Sequence, residues 1–375
     1  MTGKVRGLDV NVLVVNAGSS SLKLHLLAAD DSTLSSICVD DAPLGGRAKR
    51  ALLHALGDHR RIDAVGHRFV HGGPHVRAAT LVDDRVRRRL DEVSSLAPQH
   101  MPQALAALDT ARQRLPDVPQ VACIDTAFHA TLPEPAFTYA VPRAWREHYG
   151  IRRYGFHGLS YAWAMRRAGE LLGRDVETLQ LVLAHLGGGG SVCAVRHGRS
   201  VATSMGLTPL EGLVMTKRSG TVDPGMVLWL QRRHHLTAGQ VAHGLERESG
   251  LLGLSDGRSG DTRDLVAAAA EGDQPARLAL DVYSYRLRQE IAAAAVSLDR
   301  LDALVFTGEI GWDQPEIREA TCVGLPILGV RGGLAGNRPD DGPISPPGAS
   351  VPVLVVQPRE DLQIAAVTRE ALARG

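Results

Sequence analysis

Lysine is scarce in this chain. Only Lys4, Lys23, Lys49 and Lys217 accompany thirty-eight arginines, and a GC-rich genome is the plain explanation. Against that background, a lysine kept directly after a glycine-rich turn is worth examining. A surplus of either charge is also missing: 42 Lys and Arg face 41 Asp and Glu. A formal charge of +1 gives no electrostatic case for nucleic acid or an acidic membrane face as partner. The four cysteines, Cys38, Cys123, Cys193 and Cys322, form no CxxC pair and read as buried free thiols in a reducing cytosol. The opening residues MTGKVRGLDV lack the apolar core of a signal peptide, and no apolar stretch reaches membrane-spanning length. A soluble, cytoplasmic protein is therefore expected. Neither GxxxxGK[ST] nor a strand-linked GxGxxG with a downstream acid occurs, which removes the P-loop and Rossmann readings.

What is present is a chain of 375 residues, 44% hydrophobic, long enough for one large or two ordinary cores. Forty glycines and twenty prolines dispersed between short apolar runs favour an α/β protein over a helical bundle. The Val10 to Val15 run breaks at Asn16-Ala-Gly-Ser-Ser-Ser21 and resumes as Leu22-Lys-Leu-His-Leu-Leu27, which reads as strand, polar turn, strand. Leu181 to Ala184, His185-Leu-Gly-Gly-Gly-Gly-Ser191 and Val192-Cys-Ala-Val195 repeat that unit. Two copies at this spacing predict duplicated domains with a ligand cleft between them, rather than a solenoid.

Other segments extend the α/β pattern. Asp223-Pro224 predicts a capped helix through Leu230, and Pro275 opens a longer one to about Leu298. Leu301 to Phe306 predicts a strand entering a glycine turn, Thr307-Gly-Glu-Ile-Gly311, with a further helix from Pro315. The Gly332 to Ser350 stretch reads as a long surface loop.

Glycine and serine turns let backbone N–H groups approach phosphate oxygens. Either turn alone could be an ordinary hairpin; paired, with Lys23 directly after the first, they point to a phosphate-rich ligand. Phosphoryl transfer also needs cations at the equatorial oxygens. Gly66-His67-Arg68 and His71-Gly72-Gly73, following a strand, Met215-Thr-Lys-Arg218-Ser-Gly220 and the glycine-flanked His157 supply candidates. Most single arginines are solvated surface, so motif context has to discriminate. Asp125 ends the apolar run Ala122-Cys-Ile, a place for a metal- or substrate-facing carboxylate or for a helix N-cap.

Together these segments resemble the acetate kinase family of short-chain acyl kinases, within the sugar kinase, Hsp70 and actin superfamily. The resemblance rests on Asn16-Ala-Gly-Ser-Ser-Ser-Leu-Lys23, Gly66-His-Arg-Phe-Val-His-Gly-Gly73, Asp125-Thr-Ala-Phe-His129, Arg153-Tyr-Gly-Phe-His-Gly158, Thr208-Pro-Leu-Glu-Gly-Leu213, Arg218-Ser-Gly220, Ser249-Gly-Leu-Leu-Gly-Leu254 and Arg359-Glu-Asp-Leu362, in the family's order. It implies two duplicated actin-like, ribonuclease H-like ATPase lobes with nucleotide in the cleft between them. It also implies Mg²⁺-dependent, or Mn²⁺-dependent, interconversion of ATP and a short-chain carboxylate with ADP and an acyl phosphate, by a homodimer. Lobe limits of 1–127 plus 361–375, and 128–360, follow from the duplication.

Position by position, the resemblance assigns Asn16 and Glu360 to the metal, and Ser19, Ser21 and Lys23 to the phosphates. Arg68 is assigned to the carboxylate and the transferring group, and His157 and Arg218 to the transition state. Nucleotide contacts fall on His185, Leu186, Gly187, Gly188 and Gly189, on Asp261, Thr262 and Arg263, and on Gly308, Glu309, Ile310, Gly311 and Trp312. Val70, His100, Phe156 and Pro209 form the acyl pocket. Asp125 takes a catalytic position often described as proton donor or acceptor. A carboxylate nucleophile of pKa about 4 to 5 is already ionised at neutral pH. Asp125 is thus expected to organise Mg²⁺ and its waters rather than move a proton.

The chain departs from the family pattern at several positions. Gly188 replaces an Asn, and Trp312 brings an indole to the expected purine site, which leaves the nucleotide open. Gln99 and Met101 stand where an apolar residue and Asn are usual, and Lys217 replaces a Thr beside Arg218. One methylene separates acids by only about 1–3 kcal/mol, so acetate, propionate and butyrate stay open. A nucleotide-binding homologue that has lost catalysis is the alternative of another class.

Overall fold

The computed structural model describes residues 10–18, 21–40, 46–57 and 61–374. The chain divides into two compact units. One comprises the chain up to Ala130 with Phe156–Trp163 and Arg359 onward, and the other Thr131–Gly155 with Ala164–Pro358.

In the first unit, β1 (Val12–Ala17) and β2 (Leu22–Leu27) form an antiparallel hairpin, joined at the edge by β3 (Thr33–Val39). On its other side β1 runs parallel to β4 (Ala64–Phe69), which runs parallel to β6 (Gln120–Ile124), with short β5 (Thr80–Leu81) closing the edge. The order is β3-β2-β1-β4-β6-β5. The second unit has β7 (Gln180–Leu186), β8 (Gly190–Arg196), β9 (Arg199–Thr203), β10 (Ala303–Thr307), β11 (Gly342–Pro343) and β12 (Val353–Val355). Its order is β11-β12-β10-β7-β8-β9, the same sequence of antiparallel and parallel neighbours. The repeated strand-turn-strand unit is the opening hairpin of each sheet, and the α/β duplication holds at the level of whole sheets.

Central parallel strands are covered on both faces, which is why Val12 to Val15 is an unbroken apolar run. Leu13 and Val15 pack with Leu52 and Ala107 on one side, and Val12 and Val14 with Ile364 and Ala365 on the other. Burial of each Val, Leu or Ile among them contributes about 1.5–3 kcal/mol. Gly66 sets how closely the last helix, Glu360–Arg374, approaches: a Cβ there would fall 2.4 Å from Thr368 Oγ1 and 2.8 Å from Ile364 Cγ2.

Three expectations need correction. Gly66-His67-Arg68 lies within β4 rather than after a strand. The stretch after Thr307 is a single short helix, Gly308–Asp313, rather than a glycine turn, before the helix Pro315–Val323. Cys38 is exposed, because β3 is an edge strand with mostly exposed residues; Cys123, Cys193 and Cys322 are buried free thiols. The capped helix is Pro224–His234, with Asp223 accepting from Gly225 N, and the long helix is Gln274–Ala295, capped by Asp273. The 332–350 stretch is irregular apart from β11.

Candidate active site

Asn16, Arg68 and Asp125 stand at or near the carboxyl ends of β1, β4 and β6, where open α/β sheets bind ligands. Arg68 ties them together. Its Nε and Nη2 donate to Asp125 Oδ2 at 3.1 and 2.8 Å, and its Nη1 donates to Asn16 Oδ1 at 3.3 Å. Glu360, the first residue of the helix seated on Gly66, brings Oε2 to 3.3 Å from Arg68 Nη1 and accepts from Asn16 Nδ2 at 3.0 Å. Lys23 is the cross-strand partner of Asn16, so its Cβ shares that face. Ser21 closes the hairpin by accepting from Gly18 N at 2.8 Å, while Ser19 lies outside the described residues.

One guanidinium here faces two carboxylates, Asp125 and Glu360. Burial raises the Asp125 pKa; Arg68 opposes the rise and Glu360 adds to it. Burial alone would lower Arg68, but Asp125 and Glu360 hold it above its ordinary value. An all-oxygen donor set of Asn16, Asp125 and Glu360 fits a hard divalent cation. Among the described residues no group of three His, Cys, Asp or Glu forms a protein-only metal cage, so such a cation would keep water or substrate oxygens as ligands.

Asp125 has a second task. Its Oδ1 accepts from Leu159 N at 3.4 Å, which places a carboxylate at the N-terminus of the helix Gly158–Leu172. One carboxylate thus serves two contacts, Arg68 through Oδ2 and the helix N-terminus through Oδ1. Gly158 permits the approach, since a Cβ would fall 1.9 Å from the Asp125 carbonyl oxygen. His157 just before it is left-handed, at φ 59°. Phe156 is buried and meets the His71 ring edge-on at 5.5 Å; Val70 and His100 are half-buried in the same unit. Met101 is fully buried among Phe69, Leu90 and Leu105, so it fills the core rather than an open pocket.

The second unit holds the other candidates. His185 and Leu186 end β7 rather than standing in a turn, Gly187 to Gly189 follow it, and Gly308 follows its parallel neighbour β10. Gly308, at φ 81°, must be glycine, because a Cβ would lie 2.4 Å from Leu186 O. A cavity of about 700 Å³ opens beside these turns, lined by Gly188, Asp261, Thr262, Arg263, Glu309, Ile310 and Trp312. His185, Leu186, Gly187, Gly189, Gly308 and Gly311, expected at the nucleotide, do not line it. Thr216, Lys217, Gly260, Asp313, Gln314, Gln357 and Pro358 line it too; Thr216 and Lys217 belong to the candidate stretch Met215 to Gly220, whereas sequence reasoning did not place the other five in the site. The signal available was contiguity with motif residues Arg218, Asp261, Trp312 and Arg359.

Arg263 is held by Asp261 through Nη2 at 2.6 Å, and Asp261 also caps the helix Thr262–Ala270. Fully buried Arg318 donates to the carbonyls of Gly311 and Trp312 at 3.1 and 2.7 Å, which fixes the Trp312 edge of the cavity. Arg218 donates from Nη1 to Pro209 O at 2.5 Å. Its turn is anchored to the cavity by Thr216 Oγ1, which donates to Gly188 O at 3.0 Å. Arg153 in turn braces the Pro209 loop, donating to Glu211 Oε1 at 2.7 Å, and Tyr139 donates its hydroxyl to the same carboxylate.

Two sheets of identical topology, each with a glycine or serine hairpin at the carboxyl end of its parallel strands, define a two-lobed α/β protein of the actin-like class. The sequence profile of the Acetokinase family matches residues 48–366, and the chain belongs to that family. It is 45% identical to an acetate kinase of Deinococcus deserti over 391 residues, covering 96% of this chain and 98% of the relative. An acetate kinase of Thermotoga maritima is 39% identical over 402 residues, with 97% and 99% covered. Among solved structures, the acetate kinase of Porphyromonas gingivalis superposes with TM-score 0.86 at 34% identity, with 97% of this chain and all of that one covered. A propionate kinase of Francisella tularensis superposes with TM-score 0.87 at 32% identity, with 96% and 99% covered.

Proposed function

We propose that the chain is an acetate kinase, transferring a phosphoryl group reversibly between ATP and acetate to give ADP and acetyl phosphate. The observation that carries the reading is the Arg68 cluster. It is a half-buried guanidinium ringed by oxygen acceptors near the ends of parallel strands, in a chain 45% identical to a relative bearing that name. Arg68 retains an N–H on Nη2 for a substrate oxygen. Arg68, His157 and Arg218 supply cationic or N–H donors to the equatorial oxygens of a loose transition state. Asn16, Glu360 and Asp125 would hold Mg²⁺, or Mn²⁺, which when bound neutralises phosphate charge. Asp125 has no proton to remove from an ionised carboxylate; it orients Arg68 and caps the helix after His157. Ser19, Ser21 and Lys23, with the turns and cavity of the second unit, contact ATP.

The Francisella propionate kinase favours a second reading in which propionate is the acceptor. Val70, His100, Phe156 and Pro209 would decide between the acids. A hydroxylamine trap for acyl phosphate, run with ATP, Mg²⁺ and the C2 to C4 acids, tests both. Highest kcat/KM with acetate supports the proposal; highest with propionate supports the second reading. No hydroxamate from any acid would instead leave a nucleotide-binding homologue without catalysis.

The assembly proposed is a homodimer. Exposed Leu228 and Trp229 on the helix Pro224–His234, with Leu278 and Tyr285 on the helix Gln274–Ala295, offer apolar surface to a second copy. Light scattering at twice the chain mass would support this. Buried thiols at Cys123, Cys193 and Cys322, pushed up to about 12, support a reducing cytoplasm. Among the described residues no helix is long and apolar enough to cross a membrane. Neither a membrane nor nucleic acid is proposed as a partner.

A further inference from the structure

We propose that His129 is a positioning residue for His157, acting through the carbonyl of Phe156. The inference rests on the reading of His157 as part of the transfer machinery. His157 has a left-handed backbone, which residues with a Cβ adopt only when their surroundings hold them there. Two bonds grip the backbone on either side of its side chain. His129 Nε2 lies 2.9 Å from Phe156 O, and His157 O accepts from Tyr161 N at 2.9 Å.

A carbonyl only accepts, so the His129 ring donates, and its proton sits on Nε2. His129 is itself 1% exposed, with the rings of Phe128 and Tyr161 edge-on at 5.4 and 5.8 Å. Burial pushes its pKa down to about 4, which keeps the ring neutral and its tautomer constant at physiological pH. The other end of the grip is the Phe156 ring, set edge-on against His71, whose Nδ1 accepts from Gly73 N at 2.9 Å. Residue 156 is thus held by its carbonyl and by its ring, which fixes the backbone on the N-terminal side of His157. Without the Nε2 donor the buried Phe156 carbonyl loses this partner, and the peptide plane that sets φ of His157 is free to rotate.

The test uses four full-length variants, His129→Leu, His129→Asn, His129→Gln and His157→Ala, with kcat and both KM values taken per folded enzyme in the hydroxamate assay. Gln can reach the Phe156 carbonyl with an N–H, whereas Asn is too short and Leu has no donor. Misplacement of a reacting group by about 1 Å costs on the order of 100-fold in rate. The expected result is kcat lowered about 10- to 100-fold in His129→Leu and His129→Asn, nucleotide KM within about threefold of wild type, and kcat largely restored in His129→Gln. If His129→Leu does not fold, the Asn and Gln pair decides, since both are polar and differ in reach. Equal kcat in these two, with His157→Ala inactive, overturns the inference alone. Near-normal kcat in His157→Ala overturns the reading of His157 and the inference with it.

Discussion

His67 gives the chain an acid-labile point whose size follows from its surroundings. The ring is 1% exposed within β4, and its Nε2 lies 2.8 Å from Gln120 Oε1. Gln120 donates its own amide to Val118 O at 3.0 Å, so the oxygen faces the ring and the imidazole proton sits on Nε2. Nδ1 is buried without a hydrogen-bond partner, and a proton placed there would have no acceptor. Burial accordingly lowers the pKa from 6.5 to about 4, against small opposing contributions from Gln120 and Asp109. A histidine whose folded pKa is depressed costs stability as pH falls from the unfolded value toward the folded one, because only the unfolded chain then takes up the proton. The slope is about 1.4 kcal/mol per pH unit, so His67 alone removes about 2 kcal/mol between pH 7 and 5, and about 3 kcal/mol by pH 4. Against a typical total of about 5–15 kcal/mol that loss is readily measured. Asp125 works the other way, since its raised pKa favours the folded state on acidification, while buried His129 adds a loss like that of His67, and a wild-type slope alone mixes all three. Urea denaturation of wild type and His67→Gln at pH 7, 6 and 5 separates them: the variant should lose less stability over that range by about 2 kcal/mol. Parallel curves for the two proteins would refute the reasoning.

Arg218→Ala should lower kcat by about 10³-fold or more while ADP still binds by calorimetry, and near-normal turnover would remove Arg218 from the transition state. Gly308→Ala forces a Cβ to 2.4 Å from Leu186 O at φ 81°, and should cost about 2 kcal/mol or more in urea denaturation together with weakened ADP binding. No loss of either would mean that the Leu186 and Gly308 backbones separate freely. Lys217 lines the cavity, so Lys217→Thr should raise nucleotide KM about threefold at low salt, with the difference shrinking as salt screens it. An unchanged KM at low salt would show the ammonium pointing to solvent. Gly188 has open space where a Cβ would go, so Gly188→Asn should fold with stability within about 0.5 kcal/mol of wild type, and a larger loss would contradict that space.

The two sheets were legible because a duplicated hairpin leaves the same local mark twice, apolar run, small-residue turn, apolar run, whatever surrounds it. The Arg68 cluster was legible only as separate motif fragments. What joins them is the placement of β4 between β1 and β6 and the docking of the last helix on Gly66, pairings between residues as far apart as Asn16 and Glu360. No periodicity within a segment encodes such a pairing. Gly66 and Gly158 show how the gap is bridged. Each reads locally as a turn former, yet each is required because a distant backbone or side chain occupies the space of its Cβ, Thr368 in one case and the Asp125 carbonyl in the other. Cys38 shows the converse: it reads with the other cysteines as a buried free thiol, and the position of β3 at the sheet edge exposes it. Lys217 was visible as an oddity of composition, but its place on the cavity wall depends on the Thr216 bond to the Gly188 carbonyl, a contact across 28 residues. The chemistry-bearing residue types were therefore readable from the chain, whereas which of them share a site was decided by long-range strand order and by glycines that let backbones touch.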